Sequence, residues 1–118
     1  MDFNRQENKK EYFKGFLIGG ATGDASGYPV EFLPYRQITD KYGEEGITRF
    51  ELSENGKALI SDDTQMTLFT ANGILIGNTR GCLRGVEGLP HEYVHRAYRD
   101  WLSTQESSGN TDKRPRHR

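Results

Sequence analysis

The sequence predicts a helical chain, and three observations carry that prediction. Residues 62–76 and 90–104 repeat apolar side chains at helical period, residues 10–26 carry glycine at every fourth position, and only one short stretch, 47–60, resembles paired strands. With 118 residues the chain holds at most one domain, and a hydrophobic share of 33% predicts a modest core. Sixteen basic residues nearly cancel seventeen acidic ones, for a formal net charge of -1. No global field therefore draws the chain to nucleic acid or to an anionic membrane. Cys82 is the only cysteine, which excludes an internal disulfide and fits a reducing compartment. The apolar stretch 13–18 is too short and too broken by glycine for a signal or a membrane span. A cytoplasmic location is the expectation.

The first helix is expected over residues 10–26, after a polar lead-in, with Gly15, Gly19 and Gly23 forming a bare stripe and Gly27 just beyond. Each interior glycine costs about 1 kcal/mol against alanine, so the stripe predicts close approach of another backbone. A phosphate-cradling loop is the other reading, and it lacks a strand in front of it. Tyr28-Pro29-Val30-Glu31-Phe32-Leu33-Pro34 then ends the helix, because each proline removes a donor and pushes the preceding residue out of helical space. Glu31, between apolar neighbours, is either an exposed loop carboxylate or a group held near a site. Residues 35–42 read as a short helix, and 47–52 with 58–60 as a small hairpin around Asn55-Gly56.

Ser61-Asp62-Asp63-Thr64 precedes the central apolar run, in which Met66, Leu68, Phe69, Ala71, Ile74, Leu75 and Ile76 cover most of a helix circumference. Such a helix is expected to be buried on several sides. Ser61 or Asp62 can cap it while acidic groups offset its macrodipole. A cap needs only one of them, and adjacent carboxylates repel, so the pair calls for open solvent or a neutralising cation. Capping and metal binding both remain open on these residues alone.

Gly77-Asn78 predicts the end of the central helix, and residues 79–89 a glycine-containing loop. Pro90 opens a last helix to about residue 104, with Tyr93, Val94, Ala97, Tyr98, Trp101 and Leu102 as its core stripe. His91-Glu92-Tyr93-Val94-His95 matches a zinc-protease pattern letter for letter. Pro90 places His91 in the first helical turn and no third ligand stands in an ordered stretch, so zinc is not expected. Residues 105–118 are polar with a basic end, and a disordered tail is expected there.

Gly19-Gly20-Ala21-Thr22-Gly23-Asp24-Ala25-Ser26-Gly27-Tyr28-Pro29-Val30-Glu31-Phe32, taken with Ser61-Asp62-Asp63-Thr64-Gln65-Met66-Thr67, resembles the start of the ADP-ribosylglycohydrolase family. Tyr98-Arg99-Asp100-Trp101-Leu102 is similar to the family's next landmark. The resemblance implies an all-α fold, with residues 1–104 as the N-terminal portion of an all-helical hydrolase. It implies two magnesium ions, with manganese as an alternative, holding the ribose of an ADP-ribosyl group while its N- or O-glycosidic bond to a protein side chain is cleaved. Carried over by position, Ser61, Asp62 and Asp63 become metal ligands and Glu31 an acid/base or gating carboxylate. Asp24 matches the pattern too, as a structural hydrogen-bonding group at the end of the first helix or as a substrate contact.

The family completes its metal site with a second aspartate-rich cluster farther downstream. No Asp-x-Asp follows Thr64, and Asp100 and Asp112 stand alone. The expectation is a truncated hydrolase that is inactive alone and needs a companion chain bearing the second cluster. A non-catalytic remnant or an ADP-ribose-binding module is the alternative. The expected partners are ADP-ribosylated protein or ADP-ribose, with neither membrane nor nucleic acid.

Overall fold

The structure, a computed structural model, describes residues 3–85 and 88–108. Four helices follow one another: α1 (Phe3–Gly27), α2 (Tyr35–Tyr42), α3 (Asp62–Arg84) and α4 (Pro90–Ser108). The all-α expectation holds. Among the described residues the hairpin is reduced to one isolated antiparallel bridge, Leu52 with Ala58. Its turn is closed by Ser53 N–H donating to the Lys57 carbonyl and Gly56 N–H to the Ser53 carbonyl, both at 2.8 Å. Gly56 supplies the positive φ of 70° that this turn requires. The chain divides into two compact units, Met1–Thr64 and Gln65–Arg118.

In the first unit, α1 begins seven residues before the predicted position 10, since it starts at Phe3. The polar lead-in holds Arg5, Gln6, Glu7, Lys9 and Lys10, all good helix formers with no breaker among them. Lys14 adds an ion pair to Glu11 at 2.8 Å one turn back, of the kind that contributes a few tenths of a kcal/mol. The glycine stripe, by contrast, does not serve close packing. A Cβ placed on Gly15, Gly19, Gly20, Gly23 or Gly27 would meet nothing within 4 Å. Backbone approach close enough to require glycine is therefore not found at these positions.

The α1 helix ends where the prolines predict. Tyr28 N–H still reaches the Asp24 carbonyl at 2.8 Å, and Val30 N–H to the Gly27 carbonyl at 3.0 Å begins the turn that leads to α2. Gly43, at φ 84°, closes α2 with its N–H on the Thr39 carbonyl. Lys41 then reaches Glu51 at 3.0 Å, and the Tyr42 hydroxyl donates to the same carboxylate, tying α2 to the bridge segment. The Tyr42 hydroxyl first, and Lys41 second, hold the Glu51 carboxyl below the usual range.

In the second unit α3 runs straight through Gly77-Asn78, where the sequence predicts a stop, and continues to Arg84. These glycines exist for contact with α4 rather than for termination. A Cβ on Gly73 would stand 2.9 Å from the Tyr93 carbonyl oxygen and 3.0 Å from Val94 Cα. One on Gly77 would meet the Tyr93 ring at 2.6 Å, and one on Gly88 would meet that ring at 2.5 Å. The actual stop is Gly85, at φ 64°, with its N–H on the Gly81 carbonyl at 3.0 Å.

Polar pairs set the register of α3 against α4. Thr70 Oγ1 donates to the Met66 carbonyl at 2.8 Å and meets the Tyr98 hydroxyl at 2.7 Å. The Trp101 indole N–H donates to Gln65 Oε1 at 2.9 Å, and the Gln105 amide donates to the same oxygen at 3.1 Å. Gln105 is thus part of α4, which extends to Ser108, while residues 109–118 of the expected tail lie outside the described residues.

Burial corrects a second expectation. Among the described residues only Ala25 and Ala97 are buried hydrophobics, and Leu68, Ile74, Leu75 and Ile76 of α3 are exposed. The α3 helix is therefore not buried on several sides, and the face that it covers includes its contacts with α4. Leu102 of the predicted α4 stripe is exposed as well. No described helix is long and apolar enough to cross a membrane.

Candidate functional site at the head of the third helix

The first turn of any α-helix presents backbone N–H groups that have no partner within the helix. At α3 these donors are met from two directions. Ser61, immediately before the helix, accepts from Asp63 N–H through its own hydroxyl at 3.1 Å, the usual geometry of a capping serine. Asp24, from the last turns of α1, accepts from Ser61 N–H at 2.8 Å, from Thr64 N–H at 3.3 Å and from the Thr64 hydroxyl, all on Oδ2. The contact spans 37 and 40 residues of sequence. Ser61 and Thr64 are buried, at 8% and 6% exposure, so water does not compete for these donors.

Burial pushes the Asp24 carboxyl up, and the Thr64 and Ser61 hydroxyls together with both backbone N–H groups more than offset it. The net effect is a carboxyl below its usual range, ionised at neutral pH. Its negative charge also stands at the positive end of the α3 macrodipole, which favours it.

Asp62 and Asp63 occupy the first turn of α3 and are exposed. Ser61 and Asp24 accept from two of the first-turn N–H groups, those of Asp63 and Thr64. Glu31 lies in the turn after α1 and is also exposed. Among the described residues no three His, Cys, Asp or Glu side chains are gathered as a metal ion would need, so Glu31, Asp62 and Asp63 do not converge into such a group. The turn bond from Leu33 N–H to the Val30 carbonyl at 2.9 Å keeps the segment carrying Glu31 tightly wound after α1. His91 and His95 are exposed on α4, and no third ligand joins them among the described residues.

Local spacing gave no signal for Thr64, whose hydroxyl is as much a part of this arrangement as Ser61. Its partner lies 40 residues upstream. A cap searched for within four residues of a helix start cannot reveal an acceptor on another helix.

The site is thus an oxygen-donor set, two exposed carboxylates and a buried hydroxyl, at the braced head of a helix in an all-α chain. Oxygen is the ligand type that hard divalent cations take, and among the described residues no third such side chain joins the pair. The sequence profile of the ADP-ribosylglycohydrolase family matches residues 5–118, and the chain belongs to that family. No curated protein and no solved structure matches it.

Proposed function

We infer that this chain supplies one half of an ADP-ribosyl site, binding ADP-ribose or an ADP-ribosylated side chain with a divalent cation, and does not hydrolyse the glycosidic bond by itself. The observation that carries the reading is the division of labour at α3. Asp24 and Ser61 accept from N–H groups at its head, and the Asp62-Asp63 pair stands exposed in the first turn beside them. Two carboxylates fit magnesium, which is commonly held by one or two carboxylates together with waters and substrate oxygens. They do not fit two magnesium ions, and among the described residues no third carboxylate joins them.

In this reading Asp62 and Asp63 hold one cation, and the Ser61 hydroxyl adds a neutral oxygen beside them. A cation so held would supply charge neutralisation and orientation to the ribose hydroxyls. Glu31, carried by its exposed turn, would approach the sugar as the acid/base or gating carboxylate only when substrate or a companion chain draws the segment in. Hydrolysis in the manner of the family then requires a second carboxylate cluster in addition to these residues, because reacting groups misplaced by about 1 Å already cost on the order of a hundredfold.

Calorimetric titration with magnesium or manganese and then with ADP-ribose tests the reading. Cation-dependent binding of ADP-ribose that is lost in Asp62→Asn, with no turnover of ADP-ribosyl-arginine by the chain alone, is the expected result. Turnover by the isolated chain that persists in Asp62→Asn would overturn it. Turnover that appears only on mixing with a chain bearing the second cluster would identify the companion.

A further inference from the structure

We propose that α1 pairs with α1 of a second copy of this chain, antiparallel, with the aromatic half of each helix seated against the glycine half of the other.

Tyr12, Phe16, Gly19 and Gly23 follow one another at intervals of four, three and four residues, which places them along one face of α1. Tyr12 is 79% exposed, Phe16 71% and the adjoining Phe13 70%. A Cβ on Gly19 or Gly23 would meet nothing within 4 Å, so this face carries bulky rings at one end and a bare groove at the other. The covered side of the helix is the opposite one, where Ala25 is buried and Leu17 and Ala21 are half-buried. Lys14 is the one charged residue between Tyr12 and Gly23, and it lies on that opposite side in its ion pair with Glu11. Covering the aromatic and glycine face therefore strips water from no charge there.

The pattern is complementary to itself. A two-fold axis passing between Leu17 and Ile18 brings Tyr12 of each copy opposite Gly23 of the other, and Phe16 opposite Gly19. Each ring then faces a position that has no side chain. An unrelated helix would have to present rings and glycines in this reversed order, whereas a second copy does so by identity, and that commits the face to self-pairing. Three rings exposed to this degree present roughly 450 Å² per copy. The glycine halves that they cover add a similar area, so the pair buries about 1,600 Å² in all, the size of a standard stable interface. Interior glycines weaken a helix that stands by itself, and across the two-fold they are what lets the rings seat.

Sedimentation equilibrium of the full chain across the micromolar range, with reductant present to keep Cys82 from cross-linking, tests the pairing. The wild type is expected to pass from 13.4 kDa to twice that mass as concentration rises. Gly19→Gln with Gly23→Gln fills the groove and replaces two poor helix formers by a good one, so helix content by far-ultraviolet circular dichroism should hold or rise while the dimer weakens about a hundredfold. Tyr12→Ala with Phe16→Ala removes the rings and should weaken it comparably. Ile18→Gln, which lies outside the face, should leave it unchanged. Below the dimerisation range each copy keeps the stripe open, and there alanine at Gly15 or Gly23 adds only its helix preference.

Orientation is read by pulsed electron paramagnetic resonance from a nitroxide on Lys10→Cys in a Cys82→Ser chain. Antiparallel copies hold the two labelled positions about 22 Å apart along the helix axis, and parallel copies hold them side by side at about 10 Å. A chain that stays at 13.4 kDa throughout would overturn the proposal and leave the face to a different partner. A dimer untouched by the glycine replacements, one lost equally in Ile18→Gln, or the parallel distance would overturn it as well.

Discussion

Glycine to alanine substitutions on α1 and α3 should change stability in opposite directions. On α1, a Cβ at Gly15 or Gly23 meets nothing within 4 Å, so alanine there gains only its intrinsic helix preference, about 1 kcal/mol per site. The two positions are separated by about 12 Å along the helix axis and should act independently, for about 2 kcal/mol in the double variant. On α3, a Cβ at Gly73 would stand 2.9 Å from the Tyr93 carbonyl oxygen and 3.0 Å from Val94 Cα, both backbone atoms that move only if α4 moves. Overpacking of that kind costs roughly 1–3 kcal/mol, which offsets or exceeds the propensity gain and leaves a net loss of about 1 kcal/mol.

Urea unfolding separates the two effects. Trp101, the one tryptophan of the chain, reports on α4 by fluorescence, and far-ultraviolet circular dichroism reports on total helix. The expected result is a higher urea midpoint for Gly15→Ala with Gly23→Ala, and a lower Trp101 midpoint for Gly73→Ala. Stabilisation by Gly73→Ala would refute the close approach of α3 to α4. Destabilisation by the α1 pair would show that the glycine stripe is covered by another backbone after all.

Tyr98→Phe removes the hydroxyl that meets Thr70, while Thr70 keeps its bond to the Met66 carbonyl, so the cost should be about 1 kcal/mol and should appear as a lower urea midpoint with unchanged slope. The Lys41–Glu51–Tyr42 contact has a definite pH window. Glu51 is held below 4.5, so its contribution is present above that value and is lost as pH falls through the folded-state pKa. Lys41 is raised above 10.5, with the Tyr42 hydrogen bond as the first cause, so its contribution is present below that value and is lost only as pH rises through the folded-state pKa. A carbon-13 titration of the Glu51 carboxyl should give a midpoint below 4.5 that moves back toward it in Tyr42→Phe; an unmoved midpoint would assign the shift to Lys41 alone.

Helix existence was legible wherever the cause was local. The bounds of α2 agree with the sequence reading, because Pro34 and Gly43 punctuate both of its ends. Pro90 likewise marked the start of α4. Legibility failed where a residue's purpose lay on another element. Gly77 reads as a stop in one dimension and proves to be a seat for the Tyr93 ring in three. The stripe from Gly15 to Gly27 reads as a packing face, yet no described neighbour fills it. The position of the acidic pair in the first turn of α3 was legible from the apolar run that follows it. Its support by Asp24 was not, since hydrogen bonds across 37 and 40 residues leave no periodic trace.

A cap borrowed from another helix also sets an order of events. Closing a loop of 37 residues to bring Asp24 to Ser61 costs roughly 3 kcal/mol in chain entropy, whereas Gly73 and Gly77 of α3 meet Tyr93 of α4 across shorter stretches of chain. The far end of α3, around Gly73 and Gly77, can therefore settle against Tyr93 while its head is still unpinned. During refolding, pulsed hydrogen exchange should find the Gly77 amide protected before the Thr64 amide; simultaneous protection would contradict this order. The acidic pair then stands on the part of its helix that organises last in folding, and that opens first when the chain loosens.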